Sequence, residues 1–207
     1  ILDLDFQNNF IDKSPSALTM VQGQGLPTFG LSGRKAGEYC ANFNGSQSIK
    51  TTTNLPLNSD KVCVKFWMKT SQTIVSIITE LSLSFDSNNA FATYMNGGKF
   101  EVADHNTLYN RGNTSTNVFS SWKHIIVTID RTQGINQNKI YVNGILDYVQ
   151  KTGVDYRDNN GNWINNILFI GQRAGTSLGF NGSIMKYQAF RDVPTDAQAM
   201  EMYQNDL

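Results

Sequence analysis

The 207-residue chain carries 17 Lys and Arg against 17 Asp and Glu, a formal net charge of zero. No block of five or more cations appears, so the electrostatic footprint of a nucleic-acid binder is absent. Charged residues make up only 16% of the chain, while Asn, Ser, Thr and Gly supply most of its polarity. The longest apolar run, "IIVTI" at 125–129, is far too short for a membrane-crossing helix, and no signal-peptide pattern opens the sequence.

Strand-like alternation begins at once, so the expectation is a mature protein or a domain of a larger one. Leu2, Leu4 and Phe6 alternate with Asp3 and Asp5, the pattern of a one-sided strand. In "KVCVKFWMKT" Val62, Val64, Phe66 and Met68 share one face, and Cys63, Lys65, Trp67 and Lys69 the other, which predicts a strand partly covered on both sides. Leu81, Leu83 and Phe85 alternate with Ser82 and Ser84. "MNGGKF" at 95–100 and "YVNGIL" at 141–146 place Asn-Gly between strand formers, and type I′ hairpins need positive φ at both central residues. One helix is signalled. Thr195 and Gln198 make a capping box, with Met200, Tyr203 and Leu207 following on one face. Strands without interleaved helices predict an all-β fold, a single domain over 1–207 in which two antiparallel sheets bury their apolar faces against each other.

Chemistry-bearing residues are sparse. Cys40 and Cys63 fall in strand-like segments and form either one bridge or two buried thiols. His105 and His124 are far apart, and no zinc constellation is visible. The four glutamates, Glu38, Glu80, Glu101 and Glu201, are scattered singly. A glycosidase pair would have to come from distant strands, for instance Glu80 with Glu101 or Asp104, and solvated surface charge is the plainer reading. His124 reads as a packed strand histidine with no serine elbow to serve. Trp67 and Trp122 read as core. Asn44, Asn113 and Asn181 are sequons, two of them Asn-Gly turns.

The candidate binding residues lie in polar loops: Tyr94 and Asn96 in "YMNGGK", Tyr109 and Arg111 in "DHNTLYNRGN", and Tyr156, Arg157 and Trp163 in "DYRDNNGNWINN". Flat aromatics among Asn, Asp and Arg suit a neutral sugar, whose apolar face stacks on a ring and whose hydroxyls need paired donors and acceptors. Trp163 has a second reading, an anchor folded back over the sandwich edge, because burying a large ring is favourable by default.

Three segments in order carry a resemblance. "SWKHIIVTIDRTQGINQNKIYVNGIL", "NILFIGQ" and "FNGSIMKYQAFRDVPTDAQAMEMY" resemble the central hairpin, the following strand, and the closing strand and helix of the laminin-G-like, concanavalin A-like lectin/glucanase superfamily. "CANFNGSQSIKT" and "KVCVKFWMKT" resemble its early strands. The resemblance implies a jelly roll of two curved sheets, extracellular or at the cell surface, whose concave face or edge loops bind glycans or proteins. "KIYVNGI" is also similar to a hairpin in the jelly-roll subdomain of bacterial toxin receptor-binding regions. Many members of the superfamily carry an acidic residue of a structural calcium site where this chain reads Ser183-Ile184-Met185-Lys186, and Lys186 opposes a cation. No cofactor is required by this reading, and Asp12 is the residue left to contribute to a calcium site.

The resulting expectation is a non-catalytic glycan-binding or adhesion module. Its partner would be a glycan or cell-surface polysaccharide, with no nucleic acid, no membrane insertion, and other domains of a parent protein beside it. The alternative is a structural or protein-interaction domain of a larger secreted or virion-surface protein. A glycoside hydrolase stands third.

Overall fold

The computed structural model describes residues 1–57, 60–82, 90–105, 109–118, 120–133, 138–150, 167–173 and 177–207, with backbone alone at 90, 104, 105 and 109–111. In chain order the described strands are β1 (Leu2–Leu4), β2 (Met20–Gln22), β3 (Thr28–Ser32), β4 (Tyr39–Asn44), β5 (Ile49–Thr51), β6 (Lys61–Lys69), β7 (Ser76–Leu81) and β8 (Ala90–Asn96). They continue as β9 (Lys99–His105), β10 (Tyr109–Asn113), β11 (Lys123–Asp130), β12 (Asn138–Val142), β13 (Ile145–Val149), β14 (Leu168–Ile170) and β15 (Asn181–Phe190), before the helix α1 (Asp196–Asn205).

The strands form two antiparallel sheets. The first runs β13-β12-β11-β6-β15-β4-β3, with β1 also paired to β15, and the second runs β10-β9-β8-β7-β14-β5-β2. This is the expected all-β sandwich with a short C-terminal helix. Its core lies between the sheets, where Val62, Val64, Phe66 and Met68 of β6 meet Ile78, Leu81, Phe91, Phe100 and Val102. Phe66 stacks on Tyr187 at 5.5 Å between ring centroids. The Tyr187 hydroxyl, buried in this apolar layer, is satisfied by the Thr79 hydroxyl, which donates across the sheets at 3.1 Å. Each such ring removed from water stabilises the fold by about 1.5–3 kcal/mol. Leu2, Leu4 and Phe6 are buried as their alternation requires. Leu83 and Phe85 lie outside the described residues.

The two Asn-Gly signals resolve differently. Asn143 and Gly144 are the central residues of the β12–β13 hairpin, at φ of 51° and 78°. At the β8–β9 hairpin the turn slides one residue on: Gly97 and Gly98 take φ of 57° and 79°, and Asn96 pairs with Lys99. A second glycine relieves Asn96 of the strained position, so it stays in the strand. Of the sequons, Asn44 opens a turn with Gly45 at φ 89°, whereas Asn181 begins β15 instead of turning.

Cys40 and Cys63 are free, buried thiols. They sit on β4 and β6 with β15 between them, which separates them too far for a bridge. Burial raises both thiols, Cys63 to about 12, so neither is a nucleophile at neutral pH.

The capping box of α1 forms as expected: the Gln198 N–H donates to Thr195 Oγ1 at 3.3 Å and the Thr195 N–H to Gln198 Oε1 at 2.9 Å. The packed face is made by Ala199, Met202 and Tyr203, while Leu207, expected on it, is exposed. Ala199 is buried against Cys63, Ile126 and Tyr141, so the helix lies across the outer face of the first sheet. Among the described residues no helix is long and apolar enough to cross a membrane.

Candidate functional site

Outward-facing residues of β4, β15, β6 and β11 form rows across the first sheet because antiparallel partners share a face. One row pairs Met185 with Trp67 and Trp67 with His124, and Cys40 and Met185 pack with Trp67 in a small apolar cluster. The next row pairs Asn42 with Ser183 and Ser183 with Lys69; Trp122, one residue before β11, continues the register opposite Lys69.

Helix α1 covers the near part of this face and is tied down at both ends. At its start, Asp196 accepts from the Tyr141 hydroxyl at 2.8 Å and lies 3.2 Å from Lys139 Nζ. At its end, the Asp206 carboxylate lies 2.8 Å from Lys65 Nζ and 3.0 Å from His124 Nε2. Arg34 and Lys186 donate to the Asp206 carbonyl, and the Arg34 guanidinium stacks over Trp67 at 4.1 Å. Burial works against ionising Asp206, yet the bonds from His124 and Lys65 hold its carboxyl down at about 2. Burial pushes His124 below its ordinary value, and Asp206 only partly opposes that. His124 is therefore a packed strand histidine, as the sequence indicates.

Beyond the helix the face opens into a pocket of about 570 Å³. Asn42, Ser183 and Lys69 lie on its floor, Trp122 and Ile74 on its sides, and Thr70, Ser71 and Gln72 on its rim, with Ser32 and Gly33 opposite. The rim is laced to β15. Thr70 Oγ1 donates to the Asn181 carbonyl at 2.5 Å, the Asn181 N–H donates to Gln72 Oε1 at 2.7 Å, and Gln72 Nε2 donates to the Gly179 carbonyl at 3.0 Å. On the floor, Asn42 Nδ2 donates to Ser183 Oγ at 3.1 Å. Gly182 permits this closeness: a Cβ there would stand 2.5 Å from the Lys69 carbonyl. Trp122 is half-buried against the Cys40, Trp67 and Met185 cluster and still lines the pocket. The core reading thus holds for Trp67, which is buried, and is corrected for Trp122.

The sequence-selected residues lie elsewhere. Tyr94 is 3% exposed and packs with Ile77, Ala92 and Ala103 on the second sheet, so it offers no platform, which corrects its candidacy. It sits two residues before the turn, inside the strand, where its ring is the largest in that cluster. Asn96 donates to Glu101 at 3.1 Å and is half-buried. Tyr109 and Arg111 belong to a strand, β10, opposite His105 and Ala103, and their side chains lie outside the described residues. Tyr156, Arg157 and Trp163 lie outside the described residues altogether.

Among the described residues Glu80 and Glu101 do not form a retaining pair, and the Asp104 side chain lies outside them. Glu80 is fully buried, accepts from the Ser82 hydroxyl at 2.7 Å and pairs with Arg173 at 3.2 Å. Glu80 aligns with Ala92 and Ala103, whereas Glu101 aligns with Tyr94, so the two glutamates stand two strands and two residues apart. That is about 12 Å between backbones, against the roughly 5–5.5 Å between carboxyls that a retaining mechanism uses. Asp12 is also committed: it accepts from the N–H groups of Asp3, Ser14 and Leu18 and from the Ser14 hydroxyl, at 2.7 to 2.9 Å, which folds its own loop and fills the acceptor positions a calcium would need.

Sequence reasoning missed the pocket because its residues come from five separated segments. One signal was present: the alternation in β6 that puts Lys69 on the outer face.

A family model described as the concanavalin A-like lectin/glucanases superfamily matches residues 43–199. No curated protein matches the chain. Among solved structures, the receptor-binding domain of botulinum neurotoxin C/D mosaic serotype superposes with a TM-score of 0.75 at 16% identity, covering 99% of this chain and 51% of that one. That of botulinum neurotoxin D gives 0.75 at 16% identity over 100% and 52%. The binding domain of botulinum neurotoxin DC in complex with rat synaptotagmin II gives 0.73 at 15% identity over 99% and 51%. The likeness is one of fold, and the chain spans about half the length of these structures.

Proposed function

We propose, from the premise that the chain belongs to the concanavalin A-like lectin/glucanases superfamily, that it is a non-catalytic glycan-binding or adhesion module of an extracellular or surface protein. The observation that carries this reading is the pocket beyond α1, where an indole stands beside a floor of amide and hydroxyl groups. A sugar ring has an apolar face that stacks on an aromatic and a rim of hydroxyls that needs donors and acceptors on rigid supports. The laced rim and the paired Asn42 and Ser183 supply such supports at little entropic cost. The volume lies within the range of small-molecule pockets.

The committed state of Glu80, and the strand separating it from Glu101, favour binding without hydrolysis. The partner in this reading is a glycan or cell-surface polysaccharide, and no cofactor takes part. Structures of similar fold are about twice as long as this chain, which supports a role beside other domains of a parent protein. A protein-interaction role is the second reading, favoured by a structure of similar fold solved in complex with a protein partner, rat synaptotagmin II.

A broad glycan array followed by calorimetry tests the proposal. The wild type is expected to bind, and Trp122→Ala to weaken binding about tenfold or more, since removing one stacking ring costs on the order of 1–3 kcal/mol. Circular dichroism should stay unchanged. Absence of binding to every glycan by both methods would remove the proposal.

A further inference from the structure

We infer that the glycan taken at this pocket carries an acidic group, a carboxylate or sulfate on the sugar, and that Lys69 receives it. The inference rests on the glycan reading above and deepens it.

The other cations of this face that border the helix end have acids to meet. Arg34, Lys35 and Lys186 all reach Glu38, at 3.1, 4.0 and 3.1 Å. Lys65 reaches Asp206. Lys69 breaks the pattern: it makes no ion pair or side-chain hydrogen bond with the described residues, although it lies on the floor of a pocket beside Ser183 and Trp122. Among the described residues that line this pocket none is Asp or Glu. Lys69 is thus the one charge of the lining, and nothing in that lining opposes it.

A neutral sugar would leave that charge to water. An acidic sugar would meet it with a charge-assisted hydrogen bond, roughly twice as strong as a neutral one. Trp122 then takes the apolar ring face, Asn42, Ser183 and Ser71 take hydroxyls, and Lys69 selects for the acid.

The test uses an array in which each neutral glycan is printed beside its carboxylate-bearing and sulfate-bearing counterparts, followed by calorimetry on the best set at fixed ionic strength. The acidic member of the set is expected to bind about tenfold more tightly than the neutral one. Lys69→Gln is expected to remove that preference, so that the acidic member binds no more tightly than its neutral counterpart measured on the same variant. Lys69 is an exposed strand-end residue, so the variant should keep its fold. Preference for the carboxylate over the sulfate counterpart, or the reverse, identifies which acid is read. Equal binding of neutral and acidic members overturns the inference and leaves the glycan reading standing, as does a preference that survives in Lys69→Gln. Failure of the whole array removes both.

Discussion

Lys65 and Lys69 stand four residues apart on the same face of the same strand, and their surroundings are opposite. The Lys65 side chain is 8% exposed under the end of α1, ion-paired to a carboxylate that also accepts from His124. Lys69, beyond the helix, faces a pocket with no Asp or Glu among the described residues of its lining. Among the described residues one outer face therefore divides into a closed half, where Lys65, Arg34 and Lys186 meet acids of the chain, and an open half, where the amides are held in place and Lys69 meets none. The position of one helix end draws the boundary. What covers a strand decides whether a lysine on it is structural or available to a ligand.

Removing the shared acid should break this comparison most strongly. Asp206→Asn leaves Lys65 buried without its counter-charge, and the expected loss is about 3 kcal/mol of stability, read from urea unfolding. Glycan binding at the open half should hardly change at temperatures where the variant is folded. A loss below about 0.5 kcal/mol would mean that the closed half is held by packing alone.

Acid should act on the closed half in two stages. His124 has a lowered value in the fold, so it is kept neutral; the stability it contributes is full above its unfolded value near 6.5 and declines as pH falls below that. Asp206, held at about 2, contributes stability that is full above the unfolded carboxylate value near 4 and is lost as pH falls from there to about 2. Trp67 lies 5.1 Å from the His124 ring and 5.8 Å from that of Tyr203, so its fluorescence reports both stages. His124→Gln should flatten the upper stage and leave the lower one. An unchanged profile in that variant would assign the upper stage to another group.

The smallest effect is expected at the other end of the helix. Thr195→Ala removes the cap acceptor for the Gln198 N–H and should cost about 1 kcal/mol in the same unfolding experiment. Glycan affinity should stay within twofold. A larger change in affinity would show that the helix shapes the pocket as well as bounding it.

The sandwich was legible because its signals are local. Alternation in "KVCVKFWMKT" separates Phe66 from Trp67, and Thr195 with Gln198 announces the helix start within four residues. The hairpins were legible to one residue, since the Gly97-Gly98 pair takes the turn that Asn96 signals. The pocket was not legible, because Asn42, Lys69, Trp122 and Ser183 meet only through the register of four strands distant in sequence. Tyr94 misled for the same reason. Its neighbours in sequence are a turn, but Ile77 and Ala103, which bury it, come from the flanking strands. Trp122 misled in the opposite sense, as a strand-flanking tryptophan whose row happens to fall past the end of the helix.

The most direct measurement is an NMR titration of the isotope-labelled protein with the tightest glycan from the array, following the Trp122 indole N–H and the backbone amides of Ser71, Gln72 and Ser183. Saturable shifts are expected at these four probes with one common dissociation constant. Shifts confined to the residues around Asn96, Arg111 or Trp163, with Trp122 unmoved, would contradict it.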